Sequence, residues 1–112
     1  MARLPAHLEV AGMVRGVQAA GGFAAVLHKG DRDAGTILVV ALVNGGNSRL
    51  FERMPSLEGE RPWTVTNVQT TDNTEEFDAY WRRRAAQDPD VWVIELDIAN
   101  PERFIGFSTV TD

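Results

Sequence analysis

Eight residues of this chain have types and spacing that could do chemistry: His28, Lys29, Asp31 and Asp33 in one segment, and Asp88, Asp90, Trp92 and Glu95 in another. The first segment, Gly30-Asp31-Arg32-Asp33-Ala34-Gly35, holds two carboxylates two residues apart between glycines, a local shape able to take a hard cation through oxygen ligands. It lacks the third acidic position and the terminal glutamate of an EF-hand loop. The same carboxylates have a structural use, since aspartate commonly bonds the backbone N–H two residues on and so shapes a turn. His28 precedes the loop and could join it as ligand or base; as a strand residue alternating with Val26 and Ala24 it is simply half exposed.

The second segment gathers Asp88, Asp90 and Glu95 around the indole of Trp92, and paired carboxylates beside an aromatic wall are the raw material of general acid/base chemistry. Their structural use is punctuation. Pro89 disfavours helical geometry at Asp88, Asp90 stays hydrated at a strand entrance, and Glu95 is expected to pair with Arg103 across a hairpin.

The chain's composition removes several alternatives. The absence of cysteine excludes disulfides, thiolate catalysis and sulfur-bound zinc, and two histidines are too few for a closed zinc site without it. No Ser-His-Asp order, phosphate loop or dinucleotide fingerprint is present, so no catalytic residue, metal or cofactor is assigned. A net charge of -5 argues against nucleic acid as a partner. Against that balance stands Arg82-Arg83-Arg84 near Trp63, Tyr80, Trp81 and Trp92, a combination that could stack bases or anchor a protein interface. On a helix the aromatics are expected in the core and the arginines in water, answering the C-terminal dipole.

A chain of 112 residues with 44% hydrophobic residues can bury one core, and residues 1–112 are read as a single domain. Val10, Met13, Val14 and Val17 fall at helical spacing and predict a helix over about 5–20, closed by Gly21-Gly22. Gly12 and Gly16 inside it have a small-xxx-small spacing that would let another backbone approach closely, but are read first as loose surface positions. Strands are predicted over 23–28 and 36–43 as a long-looped hairpin, then over 48–54 and 63–69, with Ile37 to Val43 central and covered on both faces. Asp72 or Asn73 caps a second helix that stops by Gln87. Trp92, Ile94, Leu96 and Ile98 alternate along the next strand, and Phe104 to Val110 returns as a last one. The fold class is α+β: two helices on a mostly antiparallel sheet of about five to six strands, in the order helix, four strands, helix, two strands.

The stretch from Gly22 to Val39, GFAAVLHKGDRDAGTILV, followed at a distance by Asp88-Pro89-Asp90-Val91-Trp92-Val93-Ile94-Glu95, resembles the small bacterial family known as domain of unknown function 1491. The resemblance spans nearly the whole chain and departs most between Pro55 and Asn73. It implies one small domain and carries no activity, cofactor or catalytic residue.

From these residues we expect a small cytoplasmic binding or accessory protein without catalysis. Broken by Pro5, His7, Glu9 and Arg15, the N-terminal stretch is neither a secretory core nor a membrane span. The expected association is a homodimer or a protein partner, through apolar surface around Phe104, Ile105 and Phe107. The alternative is a metal-dependent or acid/base hydrolase using Asp31, Asp33, Asp88, Asp90, Glu95 and His28. It requires the acidic loop and the Asp88 to Trp92 junction to converge.

Overall fold

The helical spacing near the N-terminus becomes a buried stripe: Ala6, Val10, Met13 and Val17 are all at most 3% exposed on α1 (Ala6–Ala19). This is a computed structural model, and it describes residues 5–33, 35–53, 64–68 and 74–105. After α1 come β1 (Phe23–His28), β2 (Ile37–Val43), β3 (Gly46–Arg53), β4 (Thr64–Val68), α2 (Thr74–Gln87), β5 (Trp92–Asp97) and a short 3-10 turn, Pro101–Arg103. The strands form one sheet in the order β1-β5-β2-β3-β4.

That order corrects the predicted hairpin, because β1 and β2 do not pair. β5 lies between them, antiparallel to β1 and parallel to β2, so the sheet is mixed at its centre. The physical reason lies in composition. Val91 to Ile94 are all at most 5% exposed, and a strand apolar on both faces is stable only where both faces and both edges are covered. The link from β1 to β2 needs to span two strand spacings, about 10 Å, which eight residues do easily. β2 and β3 form the tight hairpin instead, turning at Asn44 and Gly45, both at positive φ. The two amides there donate to Asp97, Asn44 N–H to Oδ1 at 2.8 Å and Gly45 N–H to Oδ2 at 2.9 Å.

Since both edges of β5 are occupied, the predicted last strand has no place beside it. Phe104 and Ile105 instead form a turn after the 3-10 segment and fold onto the α1 side of the core. Positions 106–110 lie outside the described residues, as does the predicted Asp72/Asn73 cap. Gly16 is not a loose surface position: a Cβ there would touch the Phe104 ring at 3.4 Å.

The two helices cover opposite faces of the sheet. The α1 face joins Val10, Met13 and Val17 to Ile37, Val39, Phe51, Trp92, Ile94 and Leu96, and the α2 face joins Phe77 to Leu38, Val40, Leu50, Val91 and Val93. The parallel register sets Trp92, Ile94 and Leu96 beside Ile37, Val39 and Ala41, so the alternation read from the sequence is correct, with Val91 and Val93 buried on the opposite face and Glu95 and Asp97 half-buried. Glu52, 8% exposed, sits under α2 and takes Arg84 Nη1 at 3.0 Å, while the same guanidinium donates to the Tyr80 hydroxyl at 2.8 Å. Burial opposes the charge of Arg84, but Glu52 and Tyr80 outweigh it and hold the guanidinium above its ordinary pKa. Arg84 is therefore half-buried against Glu52 at the edge of the core, unlike exposed Arg82 and Arg83.

Candidate functional site

The acidic loop and the Asp88 to Trp92 junction do converge, and the contact between them is backbone. Asp31 N–H donates to the Asp90 carbonyl at 3.0 Å, and Trp92 N–H donates to the Thr36 carbonyl at 2.9 Å. Trp92 Nε1–H reaches back to the Asp31 carbonyl at 2.6 Å, and His28 Nδ1 lies 2.7 Å from the Val91 carbonyl. A carbonyl only accepts, so His28 carries its proton on Nδ1.

Close approach is possible because the loop is flanked by glycines. A Cβ on Gly35 would stand 2.5 Å from the Asp90 carbonyl oxygen, and one on Gly30 would collide with the same peptide. Each loop is also bent by its own carboxylate. Asp33 N–H donates to Asp31 Oδ2 at 3.1 Å and Asp90 N–H to Asp88 Oδ1 at 3.0 Å, both two-residue Asx turns.

The loop also completes α1. That helix starts at Pro5 with no side-chain cap, so its first amides need outside acceptors. Ala6 N–H donates to the Asp33 carbonyl at 3.2 Å, His7 N–H to the Arg32 carbonyl at 2.9 Å, and His7 Nδ1 stands 2.8 Å from that same carbonyl. In sequence His7 reads only as a first-helix residue near a glutamate. A helix beginning at Pro5 without Ser, Thr, Asp or Asn beside it was the available signal.

Of the eight sequence candidates, His28, Asp31, Asp33, Asp88, Asp90 and Trp92 thus meet in one clasp, with Lys29 exposed at its edge. Glu95 does not join them. Three residues beyond Trp92, roughly 10 Å along the strand, it faces α2 and lines a groove with Leu27, Val40, Leu42, Asp78 and Trp81. Burial, then the nearby charges of Asp97 and Asp78, raise its carboxyl above the ordinary value. The expected pair with Arg103 is absent: Arg103 lies over the Phe104 ring at 4.5 Å, because the hairpin that would have set them opposite does not form. The predicted aromatic cluster is divided by the sheet, with Trp92 on the α1 face and Tyr80 and Trp81 on the α2 face; Trp63 lies outside the described residues. Among the described residues no three His, Asp or Glu groups come together as a metal site. No helix among them is long and apolar enough to cross a membrane.

Comparison with known proteins agrees with this architecture. The family described as Protein of unknown function (DUF1491) matches residues 4–106. The crystal structure of a DUF1491 family protein from Caulobacter crescentus CB15 is 36% identical over 91% of this chain and 94% of that one, with a TM-score of 0.76. An NMR structure of a DUF1491 family protein from the same organism is 35% identical over 93% of this chain and 94% of that one, with a TM-score of 0.77. The solution structure of protein Atu0922 from A. tumefaciens is 31% identical, covers 99% of this chain and 97% of that one, and gives a TM-score of 0.73. No curated protein matches the chain.

Proposed function

The chain belongs to the DUF1491 family, and we propose that it is a small cytoplasmic binding or accessory protein, without catalysis, that pairs with a second copy of itself. The observation that carries this reading is the outer edge of β1. Phe23, Val26 and Leu27 are 57%, 47% and 36% exposed on a strand at the end of the sheet, and Phe23–His28 contains no Asp, Glu, Lys or Arg. Edge strands are ordinarily guarded by charge or proline, so an apolar edge is a pairing surface. An antiparallel pairing about a two-fold at Ala25 sets Phe23 of each copy beside Leu27 of the other, burying the two together. This moves the interface expected at Phe104 and Ile105 to β1, since those two residues already pack on α1.

Light scattering tests the pairing. The mass should rise from 12.3 kDa toward twice that value across micromolar concentrations, and Val26→Lys should hold it at 12.3 kDa. A mass fixed at 12.3 kDa as concentration rises removes the self-association.

The competing hydrolase reading is favoured by one observation, the meeting of the acidic loop with the Asp88 to Trp92 junction. Against it, Asp31 Oδ2 and Asp88 Oδ1 are engaged by backbone amides. Millimolar magnesium, calcium or manganese should therefore leave the melting temperature unchanged, because a ligand of the native state raises it in proportion to ln(1 + [L]/Kd). A saturable upward shift that disappears in the Asp31→Asn, Asp33→Asn double variant would transfer the function to metal chemistry.

A further inference from the structure

α2 leaves part of its own face of the sheet open. Its packing residues Phe77, Tyr80, Trp81 and Ala85 meet Leu38, Val40, Leu50, Val91 and Val93, whereas Leu27 of β1, beside the same groove, stays 36% exposed. A cavity of about 460 Å³ remains beside the helix. Val40 and Leu42 make its floor, Leu27 and Trp81 its walls, and Asp78 and Glu95 bring two carboxylates to it. The ladder fixes Glu95 there, beside Val40 on one side and Ala25 on the other.

The charges in this groove are unbalanced. Asp97, the nearest other carboxylate on β5, is held by the Asn44 and Gly45 amides, and it adds to the negative potential at Glu95. Arg82 lines the cavity, yet its guanidinium rests 5.2 Å from the centre of the Trp81 ring and forms no ion pair with Glu95 or Asp78. The indole therefore already offers a cation site at the groove wall, and the carboxylates still lack one.

We propose that the groove binds an organic ammonium on an apolar stem, with the ammonium between Glu95 and Asp78 and the stem against Leu27, Val40 and Leu42. The Trp81 ring flanks the cation. Leu27, Val40, Leu42 and Trp81 give the groove apolar walls, while Ser48, Asp78, Arg82 and Glu95 bring polar groups to it, a mixture suited to an amphipathic small ligand. The apolar floor selects against a bare metal ion, which needs a shell of oxygen ligands, and the two carboxylates select against an anion. The groove shares Leu27 with the self-pairing surface of β1, so the titration is also run on Val26→Lys, where the outcome does not depend on that pairing.

The test is a ¹H–¹⁵N titration of the protein with 2-phenylethylammonium, with 3-phenylpropan-1-ol as a neutral probe of similar shape. The ammonium should give saturable shifts at the Trp81 indole N–H and the Leu27 and Glu95 amides, with the alcohol weaker by about tenfold or more. Glu95→Gln, isosteric and free of the crowded charge, should keep the fold and weaken the ammonium by roughly three- to tenfold. Asp88→Asn, in the clasp, should leave the affinity unchanged. In the unaltered protein, saturation with the ammonium should bring the Glu95 carboxyl titration down toward the ordinary glutamate range, since a nearby cation favours the ionised form. Equal binding of the alcohol, unchanged affinity in Glu95→Gln, or the absence of saturable shifts at these three positions would each overturn the site.

Discussion

Replacing Trp92 by alanine should lower the unfolding free energy by about 3–5 kcal/mol, read as a fall in the urea midpoint at unchanged slope. The indole is 5% exposed and packs with Ile37, Ile94, Val10 and Met13, so its removal leaves a cavity between α1 and the sheet. It also deprives the Asp31 carbonyl of the Nε1–H that meets it at 2.6 Å. The two contributions separate in Trp92→Phe, which keeps a large ring and loses the donor. That variant should cost about 1–3 kcal/mol, the usual penalty for leaving a partly buried polar group unpaired. A midpoint unmoved by Trp92→Ala would mean that the indole lies outside the core and that the clasp does not depend on it. If only the ring matters, Trp92→Phe will be nearly silent.

The sequence made some of this legible because the relevant physics is local. Helical spacing of Val10, Met13 and Val17, the stop imposed by Pro89, and the alternation from Trp92 to Leu96 all act within a few residues, and all appear at the expected positions. Strand order was not local. The segment between β1 and β2 has the composition of a hairpin loop, and nothing within it records that β5, more than fifty residues later, separates the two strands. The uninterrupted apolar run at Val91 to Ile94 was the one sign that this strand must be enclosed on all sides. The same non-locality governs the site. Asp31 and Asp88 read as free carboxylates in sequence, and only the fold shows that each is spent on the amide two residues on while the loops meet through carbonyls. Glu95 was visible as a carboxylate but its surroundings were not, because Leu27, Asp78 and Trp81 come to it from two other elements.

The second large effect is expected at Gly35. Its φ is +130°, where a side chain costs of order 1–3 kcal/mol in backbone strain, and its Cβ would stand 2.5 Å from the Asp90 carbonyl oxygen. A backbone oxygen cannot rotate away, so relief requires the Asp90-Val91 peptide to shift, at a further cost of about 1–3 kcal/mol. Gly35→Ala should therefore lose about 2–6 kcal/mol by the sum of these terms. Two other glycines separate them. Gly21 has φ +90° and nothing within 4 Å of its Cβ position, so Gly21→Ala reports strain alone. Gly30 would meet the Asp90-Val91 peptide without a positive φ, so Gly30→Ala reports collision alone. Both Gly35→Ala and Gly30→Ala are expected to be more destabilising than Gly21→Ala, the first through strain and collision together and the second through a heavier collision, since its Cβ would meet the Asp90 and Val91 carbonyl carbons as well as the Asp90 oxygen. Hydrogen exchange locates the damage: the Asp31 amide and the Trp92 indole N–H should lose protection in Gly30→Ala and Gly35→Ala and keep it in Gly21→Ala. Were Gly35→Ala no worse than Gly21→Ala, the carbonyl of Asp90 would not fill the space between the two loops, and the acidic segments would be free to enclose a ligand instead of each other.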